Sequence, residues 1–257
     1  QPLAPEPLTS RPPNKPVPVN GQALVLNMGK ASHDPSVIQL GAAVPDASFL
    51  PVRAIERAVT QAARFHRNSV AAYEFPPGLP ALRRQIARRM VEAGCPVHPD
   101  EIVITNGCQE ALSLALRAVT KPGDVVAVES PTFYGLLQVI DNLGLKALEI
   151  PTHPRTGISL EALELALEQW PIKACAVTPN FSNPLGSCMP DDHKARLVEL
   201  LASRNIPLVE DDVYGDLGFS TGRPSICKAL SQAGDVLYCG SFSKTLAPGL
   251  RIGWIVP

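Results

Sequence analysis

The sequence predicts an α/β fold built on a mostly parallel sheet flanked by helices. Two observations carry that expectation. Short apolar runs recur along the chain, and most are separated by segments whose apolar residues repeat every three or four positions. Strands covered on both faces read as unbroken apolar runs, and the helices between them supply the crossovers that parallel pairing requires.

Taken in chain order, the head comes first. Seven of the 27 prolines fall within the first 18 residues, a density that removes backbone donors and favours extended conformations over a packed fold. Residues 1 to about 20 are therefore expected to form a linker or arm; on composition a frayed terminus reads the same way. Residues 52–67 (VRAIERAVTQAARFHR) and 79–94 (LPALRRQIARRMVEAG) interleave apolar positions with arginines at helical spacing, and the second stops at Gly94. Strands are expected at 102–105 (IVIT), 125–129 (VVAVE), 145–150 (LKALEI), 173–177 (KACAV), 206–210 (IPLVE) and 235–239 (DVLYC), with a final one at IGWIV. Helices are expected at 108–119, 133–143, 159–170 and 191–204.

Composition excludes several classes. Lys and Arg number 23 against 24 Asp and Glu, for a formal charge of −1, and 45% of residues are hydrophobic, which is globular and not disordered. So even a balance lacks the general pull on phosphate backbones of a nucleic-acid clamp. No apolar run reaches 18 residues, and QPLAPEPLTSRPPNKPVPV lacks the apolar centre of a signal peptide. A cytoplasmic location without membrane contact is expected. The six cysteines are scattered, with neither a C-x-x-C pair nor the Cys/His spacing of a zinc site, so they read as reduced thiols that fill the core. No metal site is expected.

Ligands of open α/β sheets bind beyond the carboxyl ends of the strands. After IVIT, Gly107, Cys108 and Gln109 open a helix whose free N–H groups suit an anion; a plain strand-to-helix turn reads the same way. After KACAV, Asn183 precedes a proline that biases it toward extended backbone. After IPLVE come Glu210, Asp211 and Asp212, a costly set to bury without a partner. Three readings stand: a metal, solvation at the sheet edge, or one acid facing a cationic ring. After VLYC, Lys244 stands just past a buried strand, a candidate imine former because desolvation and nearby positive charge free its amine; taken singly, a structural lysine reads the same way. Ser241, Ser243 and Arg251 beside it suit a phosphate. Rival motifs fail: there is no phosphate-binding G-x-x-x-x-G-K-[ST] and no G-x-S-x-G, and the five histidines sit apart.

TNGCQEAL, ESPTFYG, TPNFSNPLG, EDDVYGDL and GSFSKTLAPGLRIGW, in this order and spacing, resemble the pyridoxal-phosphate (PLP) enzymes of aminotransferase fold type I. The resemblance runs over residues 36–257. Within that superfamily VESPTFYG, LGAAVPDASFLP and VLYCGSFSKTLAPGLRIGW look closest to the MocR group of GntR-type transcriptional regulators, in which an aminotransferase-like domain follows a winged-helix DNA-binding domain through a linker. The resemblance thus divides the chain into a proline-rich linker or arm, 1–35, and a PLP-binding large domain, 36–257.

Carried over position by position, the resemblance implies that Lys244 forms an imine with the cofactor aldehyde and that Asp211, three residues before Tyr214, keeps the pyridine nitrogen protonated. Asn183 and Tyr214 would hydrogen-bond the phenolic oxygen of the ring, and Phe133 would stack on it. Gly107, Cys108, Gln109, Ser241, Ser243 and Arg251 would hold the phosphate. Tyr73 would reach the phosphate of a neighbouring subunit, which implies a homodimer with shared sites.

Two departures qualify the match. Ala43 stands where relatives often carry glycine, two residues before Pro45. The family also continues past the strand IGWIV into a small C-terminal domain that supplies the arginine for the substrate carboxylate; no residue up to Pro257 takes that role, and the chain reads as a fragment lacking this domain. The resulting expectation is a PLP-binding effector domain that senses PLP, an amino acid or another amine, with DNA contacted only through a separate domain. The alternative is a free-standing aminotransferase acting between an amino acid and a 2-oxo acid.

Overall fold

The computed structural model describes residues 8–20, 36, 43–66, 71–219, 222–231 and 235–257. The expected boundary at 35/36 and the end of the first expected helix at Arg67 lie outside the described residues. The helices are α1 (Val52–Phe65), α2 (Pro80–Glu92), α3 (Cys108–Val119), α4 (Tyr134–Asn142), α5 (Leu160–Gln169), α6 (Asp191–Ser203) and the short α7 (Cys227–Leu230). The strands are β1 (Val17–Pro18), β2 (Val103–Thr105), β3 (Val125–Ser130), β4 (Lys146–His153), β5 (Gly157–Ile158), β6 (Ile172–Val177), β7 (Leu208–Asp211), β8 (Val236–Ser241) and β9 (Gly253–Val256).

They form one sheet in the order β1-β4-β3-β6-β7-β8-β9-β2, with β5 on β4. The central β4, β3, β6, β7 and β8 pair in parallel. The flanks are antiparallel: β1 on β4, and β9 between β8 and β2. The α/β class with a mostly parallel sheet therefore holds.

Strand alternation divides the core. Ala127, Leu148, Cys175 and Leu208 point to one face, where α5 and α6 bury Leu163, Leu197 and Leu201. Val126, Val128, Ala176 and Val209 point to the other, under Leu112 and Leu116 of α3 and Val139 and Ile140 of α4. A third cluster packs Ile86 and Met90 of α2 on Tyr238 and Trp254. All six cysteines are free. Among the described residues no helix is long and apolar enough to cross a membrane.

Part of the head lies on the sheet edge. Val17 pairs with Ala147 and Pro18 with Lys146, and Ser10 bonds through its N–H to the Thr152 carbonyl at 3.3 Å. The open edge of β4 supplies the donors and acceptors, and a proline is tolerated there because an edge strand leaves half its backbone groups unpaired. By contrast, α1 buries none of its residues, leaving Val59 and Phe65 exposed.

Candidate functional site

The carboxyl ends of β7 and β8 and the start of α3 enclose a cavity of about 170 Å³. Its lining contains Cys108, Gln109, Phe133, Asp211, Tyr214, Ser241, Ser243, Lys244 and Arg251, nine of the residues singled out by sequence. Asn183 stands one step back and donates through Nδ2 to the Tyr214 hydroxyl at 3.1 Å. Gly107 lies beneath Arg251. Tyr73 is apart from the cavity, 90% exposed, with its ring 6.3 Å from that of Phe75. Leu112, Tyr134, Val213 and Pro248 complete the wall. Of these Tyr134 had a visible signal, since it follows Phe133, and the two rings lie 4.7 Å apart.

One end of the cavity is built for an anion. Gly107 caps α3 with φ +86, and Cys108 and Gln109 occupy the first helical turn, where N–H groups have no intrahelical acceptor. Arg251, itself at φ +51, reaches the Ser243 hydroxyl at 3.4 Å, and the Ser243 N–H donates to Ser241 Oγ at 3.0 Å. The close approach of two chain segments depends on glycine: a Cβ on Gly107 would meet Arg251 Nη2 at 2.3 Å, and one on Gly253 would meet the Gly107 carbonyl carbon at 2.4 Å.

The other end is acidic and aromatic. Asp211 is buried, which pushes its pKa up to about 6; the Cys108 thiol counters this by donating to Oδ1 at 3.3 Å. Burial likewise raises the Tyr214 hydroxyl, with the Asn183 amide opposing. Lys244 Nζ lies 6.0 Å from the Tyr214 ring centroid and donates to the Ala43 carbonyl at 2.8 Å, an arrangement sequence reading did not foresee. Burial lowers its pKa, Asp211 opposes that, and Arg251 adds to it.

Strand alternation resolves the triple carboxylate. Asp211 faces α3 and the cavity, whereas Glu210 and Asp212 face away. Glu210 accepts from the N–H groups of Cys227 and Lys228 at 2.7 and 3.0 Å. Asp212 accepts from Arg223, Tyr238 and Asn180. Among the described residues no group of three His, Cys, Asp or Glu side chains is placed to hold a metal ion.

This arrangement fits PLP. Free N–H groups, hydroxyls and a guanidinium meet a phosphate, an ionisable acid meets a ring nitrogen, two aromatic rings meet a flat heterocycle, and an amine of lowered pKa meets an aldehyde.

Residues 35–256 match the family model of aminotransferase class I and II. The chain is 45% identical over 253 residues to the uncharacterized HTH-type transcriptional regulator YjiR of Escherichia coli (strain K12), covering 98% of this chain and 54% of that protein. To the regulator YdcR of the same strain it is 46% identical over 231 residues, covering 90% and 49%. The chain thus spans about half the length of these relatives. The Pyrococcus horikoshii kynurenine aminotransferase, solved in complex with PMP, superposes with a TM-score of 0.82 at 31% identity, over 91% of this chain and 59% of that one. The chain belongs to the PLP-dependent class I and II aminotransferase family.

Proposed function

We propose that this chain is the PLP-binding, effector-sensing part of a MocR/GntR-type transcriptional regulator, with residues 36–257 as its large domain and the head as the arm toward a DNA-binding domain. The observation that carries this reading is one cavity holding an amine, a ring-facing acid and a hydroxyl-guanidinium cup, in a chain 45% identical to an HTH-type regulator.

PLP, when bound, supplies an aldehyde that captures primary amines and a ring that accepts an electron pair. Lys244 would be the amine that holds it, and its lowered pKa keeps more of it neutral and nucleophilic. Asp211 holds a proton on the ring nitrogen. Asn183 and Tyr214 serve the phenolic oxygen, and Phe133 stacks on the ring. Gly107, Cys108, Gln109, Ser241, Ser243 and Arg251 hold the phosphate. Lys244 Nζ, 6.0 Å from the Tyr214 ring centroid, would also be the group that carries a proton at this end of the cavity. Tyr73 belongs to a surface shared with a second copy, where the exposed apolar side of α1 is also buried, so the working unit is a homodimer in the cytoplasm.

A second reading, a free-standing transaminase, draws on the 31% identity to the kynurenine aminotransferase. Both are tested on the full-length protein. It should be yellow, and borohydride should fix the cofactor to the peptide holding Lys244; a label elsewhere, or none, rejects the site. An amine that changes DNA affinity with negligible turnover supports the regulator, and sustained turnover with no effect on DNA affinity supports the transaminase.

A further inference from the structure

The cavity does not account for the most heavily bonded carboxylate near it. The Asp212 side chain has no exposed surface and is absent from the cavity wall. Three donors from three parts of the chain converge on it: Tyr238 Oη of β8 at 2.8 Å, Asn180 Nδ2 after β6 at 3.0 Å, and the Arg223 guanidinium. Its backbone N–H donates to the Cys239 carbonyl at 2.9 Å. A Cβ on Gly215 would come within 2.5 Å of Asp212 Oδ1, so the turn after Tyr214 is wrapped onto this carboxylate.

The cluster also reaches the lysine loop. Arg223 Nε donates to Asp216 at 2.8 Å, Asp216 pairs with Arg89, and the Arg89 guanidinium lies 5.3 Å from the centroid of Phe242. Phe242 is two residues before Lys244. A buried ion pair gains little net stability over apolar packing of the same volume, so stability alone is a weak reason for this one. Its location is the better reason, because it fixes both ends of the segment Asp211–Asp216 that presents Asp211 and Tyr214 to the cavity.

We propose that Asp212, clamped by Arg223, Tyr238 and Asn180 on the far face of the sheet, is the positioning residue that sets Asp211 and Tyr214 against the cofactor ring. The proposal rests on the reading of the cavity as a PLP site. Asp212 touches neither cofactor nor substrate and acts through its neighbours. Its charge also bears on Asp211 through the backbone between them, and Arg223 offsets that charge. Glu210, Lys194 and Asp216 are the other ionisable groups around the cluster.

The test uses the full-length protein stripped of cofactor and reloaded with PLP. Three quantities are read: PLP Kd by absorbance titration, the pH midpoint of the visible cofactor band, and far-UV circular dichroism as a check on folding. Asp212→Ala should weaken PLP binding about tenfold and shift the midpoint, and Tyr238→Phe, which removes one donor and no charge, about threefold, as expected for bonds to a charged group. Asp212→Asn keeps an acceptor for Tyr238 and should recover part of the Ala loss. If Asp212→Ala does not fold, Tyr238→Phe decides. Folded variants whose Kd and midpoint match wild type overturn the proposal while leaving the PLP reading intact; a wild-type protein that takes up no PLP overturns both.

Discussion

The thiol of Cys108 donates to Asp211 Oδ1 at 3.3 Å, tying the first residue of α3 to the last residue of β7. The family resemblance implies that Cys108 holds the phosphate; in the structure its thiol bonds the acid at the other end of the cavity. The bond favours the ionised Asp211 and opposes the burial that, on balance, pushes its pKa up to about 6. Cys108→Ala should therefore raise the Asp211 pKa further. Since the ionised acid is the form that pairs with a protonated ring nitrogen, the acid limb of PLP affinity should move up by roughly half a unit to one unit. Cys108→Ser keeps a donor and should stay near wild type. Measuring Kd across the range from weakly acid to neutral pH checks this, and identical profiles for Ala and wild type would remove the thiol from the account.

Glycine contacts give a graded prediction for the place where Gly107, Gly253 and Arg251 meet. In Gly253→Ala the new methyl meets backbone, the Gly107 carbonyl carbon at 2.4 Å and the Cys108 nitrogen at 2.8 Å, so neither neighbour can swing aside. The expected cost is about 1–3 kcal/mol with loss of PLP retention. At Gly249 nothing lies within 4 Å and the backbone is not left-handed, so Gly249→Ala should change stability by less than about 0.5 kcal/mol. Denaturant midpoints and cofactor retention of the pair provide the measurement.

Glu129 is the next-to-last residue of β3, on the face opposite Asp211, buried, with Oε2 accepting from the Thr178 N–H at 2.7 Å. Burial pushes its pKa from 4.5 up to about 8, with the Thr178 bond opposing. An acid whose pKa is higher folded than unfolded binds more protons when folded between those two values. Stability is therefore fully present below about 4.5 and declines as pH rises toward about 8. Glu129→Gln keeps the acceptor for Thr178 and removes the ionisation, so it should flatten much of that decline and raise stability in mild alkali by a few kcal/mol in order of magnitude. Glu210, raised by burial to about 7, leaves a residual slope. Urea denaturation of both proteins at mildly acid and mildly alkaline pH decides it; parallel curves would place the titration elsewhere.

What was legible in sequence follows from periodicity. The helix at 108–119 appears with those same bounds, and 191–204 differs from α6 by one residue. Each is long enough for the 3.6-residue repeat to register. The two-residue strands β1 and β5 carry no period and exist because β4 presents an open edge; this is tertiary information. Among site residues, those adjacent in sequence to a strand end were readable. The Asp212 cluster was not, because Asn180, Arg223 and Tyr238 come from separate segments that only the sheet order brings together. Ala43 stood out as a departure from the family, yet its φ of +48 and its carbonyl contact to Lys244 had no signal in the pattern.

Thr152 links the arm to the end of β3, just before Phe133. Its N–H donates to Ser10 Oγ at 2.9 Å, its hydroxyl accepts from the Ser130 N–H at 2.9 Å, and it is buried. Ser130 stands opposite Pro151 in the β3–β4 ladder and opens the turn that carries Phe133. The Thr152 hydroxyl is thus the acceptor that satisfies the buried Ser130 N–H at the end of the strand. Thr152→Val keeps the shape but leaves that N–H buried without its acceptor, at a cost of about 1–3 kcal/mol. Ser10→Ala removes one bond near the surface and should cost about 0.5–1.5 kcal/mol. Because Ser130 precedes Phe133 by three residues, Thr152→Val should also weaken PLP binding several-fold while Ser10→Ala changes it less. Denaturation and PLP titration of the two variants test the order; equal effects on both measurements would mean that the arm and the ring-stacking turn are not linked through Thr152.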